Sequence, residues 1–128
     1  MNLIKYILGT IIVLLCTACM ANSSGAERIT AEAAKARIDQ NPNAIILDVR
    51  TEAEYQDGHI QGAVLLPLDR LEREAASVLP DKNAEILVYC RSGRRSAEAA
   101  SILTSLGYTR VADFGGIMLW PYEIVTDS

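Results

Sequence analysis

Cys90 heads the stretch CRSGRRS, residues 90–96: one thiol, three arginines, two serines and a glycine in seven positions. The apolar run EILVY precedes it and AEAASILTSLG, with helical spacing, follows it. A strand–loop–helix turn built on Gly93 can aim several backbone N–H groups at one point, and such a nest binds an anion. The N-terminus of the following helix adds a partial positive charge at the same place. Arg91, Arg94 and Arg95 add whole charges beside it. A sulfur atom at that focus is driven towards thiolate, because helix N-termini and cations can pull a cysteine pKa from about 8.5 to well below neutrality. The thiolate is a nucleophile, and the cradle that makes it would also hold an anionic substrate. The expected chemistry is attack by Cys90 on an oxyanion or a sulfur anion.

The rest of the chain supports a reactive rather than a structural thiol. The only other cysteines, Cys16 and Cys19, fall in MNLIKYILGTIIVLLCTACMANSSG. That stretch has the layout of a secretory leader, with Lys5 as a short basic region, an apolar run from Ile7 to Ala18, then small and polar residues. The apolar run is shorter than the ~20 residues a spanning helix needs. Cys16-Thr17-Ala18-Cys19 resembles a bacterial lipobox, with Cys16 where Leu is usual, and makes Cys19 the expected lipidation site. Ala21-Asn22-Ser23 offers an ordinary cleavage site instead. The expected organisation is a leader and tether over 1–26 and one domain over 27–128. The protein would be exported to the periplasm, touching a membrane only through a lipid anchor. Either route leaves Cys90 alone in a compartment where disulfides form. A lone thiol there is a liability unless its reactivity is wanted.

Charged residues make up 22% of the chain with a formal net charge of −4, which gives no reason to expect nucleic acid binding. The cations of CRSGRRS are therefore local. The single histidine, His59, could form a Cys–His dyad, but its plainer role is to hydrogen-bond backbone and fix the turn from Gly58 to Gly62. One histidine and one domain cysteine leave no zinc site. Neither a metal nor an organic cofactor is expected.

The elements that must position Cys90 read as an alternation. TAEAAKARIDQ (30–40) is a helix with Thr30 as N-cap, and AIILDV (44–49) is a strand buried on both faces. Thr51-Glu52-Ala53-Glu54 is a capping box opening a short helix that Gly58 ends. AVLL (63–66) is a short strand, 68–79 a helix, 85–89 a strand, and 95–106 a helix stopped by Gly107. A fourth strand is expected over 109–112, and a last short helix around 118–122 after the turn at Gly115-Gly116. Strands alternating with helices predict an α/β fold with a parallel sheet covered on both faces. In such sheets sites form at the C-terminal strand ends. Two strands end in chemistry here, at Asp48-Val49-Arg50 and at Tyr89-Cys90.

LDVR (47–50), EYQDGHIQGA (54–63), CRSGRRS (90–96) and GG-I-x-x-W (115–120) together resemble a single-domain rhodanese, a sulfurtransferase. The resemblance covers roughly residues 28–125. It implies a three-layer α/β/α fold with a central parallel sheet of four to five strands. It implies that Cys90 carries a persulfide, with Arg91, Ser92, Gly93, Arg94 and Arg95 as the loop around it. Ser96 would begin and cap the helix behind. Asp48 and Arg50 match the family's supporting charged pair, with His59 also near, and Trp120 matches an aromatic whose role is core packing. The implied donor is a small sulfur anion such as thiosulfate or a polysulfide. The implied acceptor is cyanide or a thiol, with a protein donor or acceptor as a further expectation, and the domain's length permits a monomer. Six residues run from Cys90 to Arg95, whereas related phosphatases and arsenate reductases have a loop one residue longer. The alternatives are a Cys-based phosphatase or arsenate reductase-like enzyme, and a non-catalytic or relay module.

Overall fold

Short strands and amphipathic helices alternate through residues 25–127, the part of the chain this computed structural model describes. The leader's apolar run, with Cys16 and Cys19, lies outside the described residues. Five parallel strands form the main sheet: β1 (Glu27–Arg28), β2 (Ile45–Asp48), β4 (Val64–Leu65), β5 (Glu85–Cys90) and β6 (Arg110–Gly116). Their order across the sheet is β1-β6-β5-β2-β4. β5 is central, pairing Ile86–Tyr89 with Ile45–Asp48 of β2 on one side and Glu85–Val88 with Arg110–Asp113 of β6 on the other. Four helices cover the sheet: α1 (Ala31–Gln40), α2 (Glu52–Asp57), α3 (Leu68–Val78) and α4 (Arg94–Ser105). This matches the α/β expectation.

The period of two along β5 explains the layers. Ile86, Val88 and Cys90 point into one core with Leu71, Ala75 and Leu79 from the α3 side and Ala99, Ala100 and Leu103 of α4. Leu87 and Tyr89 point into the other core with Ala34 of α1, Ile60, Phe114 and Trp120. Both faces are covered, so the strand reads as one unbroken apolar run. Each fully buried aliphatic side chain, such as Leu47, Leu71, Ile86 or Leu103, contributes about 1.5–3 kcal/mol of burial. Trp120 packs edge-on against Tyr122 at 4.9 Å and tilted against Phe114 at 5.5 Å, a core role.

The caps follow the sequence. Thr30 Oγ1 accepts the Ala33 N–H at 3.1 Å at the start of α1. Thr51 and Glu54 form the reciprocal capping box of α2. Two expectations change. β6 runs on to Gly116, because it is flanked on both sides: Ala112 and Asp113 also pair with the edge strand β1. The last short helix is a single 3-10 turn at Ile117–Leu119, displaced towards the sheet from the expected 118–122. Beyond it, β7 (Ile124–Val125) returns antiparallel onto β3 (His59–Ile60), a second small sheet that closes the C-terminal segment over Gly58.

Candidate active site

Cys90 is the last residue of β5 and is 1% exposed. The chain then makes one tight loop, Arg91-Ser92-Gly93, and enters α4 at Arg94. Gly93 is the N-cap, with φ of 110°, a left-handed conformation that favours glycine. There its N–H donates to Cys90 Sγ at 3.0 Å. The sulfur therefore sits against a backbone donor at the positive end of a twelve-residue helix. A backbone donor and a helix N-terminus so placed stabilise negative charge on a group held there.

The loop is held from below by β6. A β-bulge separates the Val88–Asp113 pair from the Cys90–Gly116 pair, so β6 carries one extra residue beside the site. Gly115 takes up that residue with φ of 85°, and its N–H donates to Asp113 Oδ1 at 2.9 Å. Gly116 lies directly under the loop: a Cβ there would overlap the Arg91 carbonyl and the Ser92 Cα. The Arg91 carbonyl accepts the Met118 N–H at 3.3 Å. Since a trans peptide sends its C=O and N–H in opposite directions, the Ser92 N–H points away from Met118.

Ser96 does not cap α4, as had been expected. It lies three residues inside, fully buried, where its hydroxyl reaches the Gly93 carbonyl at 3.0 Å and the Gly115 carbonyl at 3.3 Å. It thus ties the loop to the bulge. The helix starts one residue earlier than expected because a left-handed glycine, rather than a side chain, makes the cap.

The three arginines separate. Arg95 forms a two-pronged pair with Glu54 at 2.7 and 2.8 Å, joining α4 to α2. Arg95 holds the Glu54 carboxyl down at about 2, and Glu54 in turn raises Arg95, with the neighbouring Cys90 and Asp48 acting in the same direction. Arg91 and Arg94 are exposed and form no ion pair among the described residues.

Asp48 and Arg50 form a buried pair, 0% and 5% exposed. The Arg50 Nη2 lies 2.7 Å from Asp48 Oδ2 and also donates to the Gly58 carbonyl at 2.7 Å. Burial works against the Arg50 charge, but the Asp48 carboxylate outweighs it and holds the guanidinium above its ordinary value. Tyr89 completes the set: its hydroxyl donates to Asp48 Oδ2 at 2.6 Å and accepts the Ile60 N–H at 3.1 Å. Burial first, and then Asp48, push the Tyr89 phenol far up, so it stays a donor. Sequence reasoning missed both Tyr89 and Glu54 as site partners. Tyr89 reads as one more apolar strand residue, and Glu54 as a helix cap.

His59 does not join Cys90. Its ring stacks on Tyr55 at 3.7 Å. Nδ1 meets the Tyr55 carbonyl at 2.9 Å, which can only accept, so Nδ1 carries the proton. Nε2 faces Asp127 at 3.7 Å. Both ring nitrogens are turned to partners other than the thiol, so no Cys–His dyad forms. Among the described residues no three His, Cys, Asp or Glu side chains gather as metal ligands would.

A cleft of about 390 Å³ opens beside the loop, lined by Arg50, Glu54, Asp57, Gly58, Arg91, Ile117, Met118 and Ile124. Its lining combines two arginines and two carboxylates with the apolar side chains of Ile117, Met118 and Ile124.

The comparisons with known proteins agree with this geometry. Residues 30–121 match the model of the Rhodanese-like domain. Thiosulfate sulfurtransferase PspE of Escherichia coli is 44% identical over 71 residues, spanning 56% of this chain and 68% of that protein. A sulfurtransferase of Allochromatium vinosum is 33% identical over 93 residues, spanning 72% of this chain and 85% of that one. Among solved structures, a rhodanese with anions from Escherichia coli superposes with a TM-score of 0.62 at 38% identity, covering 66% of this chain and 99% of that one. The matched span holds every motif from LDVR to Trp120, and the chain therefore belongs to the rhodanese-like domain family, as an enzyme of the thiosulfate sulfurtransferase type.

Proposed function

We propose that the chain transfers sulfane sulfur through a persulfide on Cys90. The Cys90 thiolate attacks the outer sulfur of thiosulfate, or of a polysulfide. The Sγ–S bond forms as the donor's S–S bond breaks, and sulfite, or a shorter polysulfide, leaves with the electron pair. A thiolate or cyanide then attacks the outer sulfur of the persulfide. The Sγ–S bond breaks and its electron pair returns to Cys90. Loop amides and the α4 N-terminus stabilise negative charge on sulfur in both steps. Arg91 and Arg94 draw anions to the mouth, while Arg95 and Arg50 hold its walls.

The observation that carries this reading is the Gly93 N–H on Cys90 Sγ at the head of α4. The test is thiocyanate formation from thiosulfate and cyanide. Cys90→Ser exchanges one atom at a strand end and should leave the melting temperature within a few degrees while removing turnover. Thiocyanate produced at the normal rate by that variant would refute the mechanism. The reading extends to an exported protein, tethered through Cys19 or released, supported by the leader-like sequence of residues 1–26. The mass of the mature N-terminus in its native host decides between the two.

A further inference from the structure

A fourth arginine reaches the reactive loop from outside CRSGRRS. A Cβ placed on Gly93 would stand 3.9 Å from Arg28 Nη2 and 3.6 Å from the Gly115 Cα. Gly93 is the residue whose N–H meets Cys90 Sγ at 3.0 Å. With the backbone bonds between those atoms, the Arg28 guanidinium lies within about 10 Å of the sulfur. Arg28 also precedes the span matched to the family, residues 30–121. The fold explains its approach. Arg28 ends the edge strand β1 in register with Asp113 of β6, and the Ile29 N–H donates to the Asp113 carbonyl at 2.9 Å. Val111, two residues before Asp113, belongs to the core beneath α4, so Asp113 and its cross-strand partner Arg28 face α4. Both line a cavity of about 320 Å³ with Ala97, Ala100 and Ser101 of that helix.

The neighbouring carboxylates leave the Arg28 charge unspent. Glu27 is held by both prongs of Arg37, at 2.8 and 3.0 Å. Asp113 gives Oδ1 to the Gly115 N–H at 2.9 Å. Asp113 weakens the field of Arg28 without pairing with it: among the described residues no carboxylate lies within ion-pair distance of Arg28. Arg95, in the loop itself, is taken by Glu54. Arg28 is absent from the lining of the cleft that holds Arg50 and Arg91. It therefore acts on the reacting sulfur through space, from beside the loop, as an exposed and partly screened charge.

Resting on the persulfide reading above, we infer that Arg28 is a specificity-determining residue for donor charge: it favours a doubly charged sulfur donor over a singly charged one. In the first step the Sγ–S bond forms as the donor's S–S bond breaks. Sulfite leaves from thiosulfate with the electron pair, and a sulfinate leaves in the same way from an organic thiosulfonate. Both donors present the same outer sulfur to Cys90, and they differ by one negative charge. At about 10 Å, with an effective dielectric of ~50 between the surface and bulk-water values, one cation favours a unit anion roughly three-fold. A dianion responds with the square of that factor, about ten-fold.

The test uses the full protein, cyanide as acceptor and two donors, thiosulfate and methanethiosulfonate. Thiocyanate is read by absorbance, and kcat/KM for each donor reports the first step of the cycle. Arg28→Met should lower kcat/KM about ten-fold for thiosulfate and about three-fold for methanethiosulfonate at ~0.05 M salt. Arg28→Lys keeps the charge and should restore both donors to within about two-fold of wild type. Raising salt to about 0.5 M should shrink the gap between the donors by screening. The decisive quantity is the ratio of the two donors within one preparation, so partial unfolding of a variant cannot imitate it. Equal losses for both donors in Arg28→Met would assign Arg28 a structural role and overturn the inference. So would unchanged rates in Arg28→Met, or a lysine variant as impaired with thiosulfate as the methionine one. In each of these cases thiocyanate formation by wild type would leave the persulfide reading intact. No thiocyanate from wild type with either donor would bring down both.

Discussion

Replacing Gly116 with alanine probes the packing under the reactive loop with one methyl group. The backbone at Gly116, φ −114° and ψ 147°, is open to any residue, so the substitution carries no intrinsic conformational strain. The conflict is steric: the new Cβ would stand 2.7 Å from the Ser92 Cα and still nearer the Arg91 carbonyl. All of these atoms are backbone, so no side chain can rotate away. The Arg91–Ser92 backbone must rise by about 1.5 Å to reach ordinary contact, and overpacking of this kind costs about 1–3 kcal/mol. For a domain of this size that is a fall of roughly 4–20 °C in melting temperature, so the protein remains folded at 25 °C. The larger effect falls on chemistry. Lifting Arg91 and Ser92 moves the Gly93 N–H off the sulfur, and a misplacement of about 1 Å can cost roughly 100-fold in rate. The assay is single-turnover sulfite release from thiosulfate, paired with the rate of Cys90 alkylation by iodoacetamide as a measure of thiolate reactivity. Both should fall together in Gly116→Ala. Wild-type sulfite release and alkylation in a variant that melts lower would show that the loop's position does not set the reactivity of Cys90, and would refute the reasoning.

Two further predictions rest on the site's supports. Tyr89→Phe removes the donor to Asp48 and the acceptor for the Ile60 N–H, both buried, and should cost about 1–3 kcal/mol in urea unfolding; Arg50 still holds Asp48, so the fold persists. Glu54→Gln should flatten the acid limb of stability. The Glu54 carboxyl falls from 4.5 to about 2 in the folded state, so its contribution is present above pH 4.5 and is lost as pH drops from there towards 2. The pair is partly exposed, so the difference should be no more than ~1 kcal/mol; equal slopes for wild type and variant between pH 5 and pH 2 would contradict the assignment.

The reactive segment is legible in the sequence because its parts are local. Cys90, the loop and α4 follow one another within sixteen positions, and a β-rich run, a glycine and a helical pattern suffice to order them. The error at Ser96 is also local: a serine at a helix start suggests a side-chain cap, while a left-handed glycine does the capping and frees the serine to tie the loop to β6. What escaped is non-local. β1, β3 and β7 have two residues each, too few for any periodic signal, and exist only because a distant strand accepts them. Glu54 and Arg95 lie 41 positions apart, so nothing in their own neighbourhoods couples a capping-box glutamate to a loop arginine. Tyr89 carries its site role in one hydroxyl, invisible in a pattern of apolar residues. Asp48 and Arg50 were legible as a pair from their spacing at a strand end, and their complete burial came only with the fold.

The measurement that bears most directly on the account is intact mass spectrometry of the purified protein before and after thiosulfate, with peptide mapping of the product. The account predicts a gain of about 32 Da, one sulfur atom, on the peptide containing Cys90, lost on adding cyanide with thiocyanate appearing in equal amount. An unmodified Cys90 peptide after thiosulfate and polysulfide, or an adduct that cyanide does not remove, would contradict it.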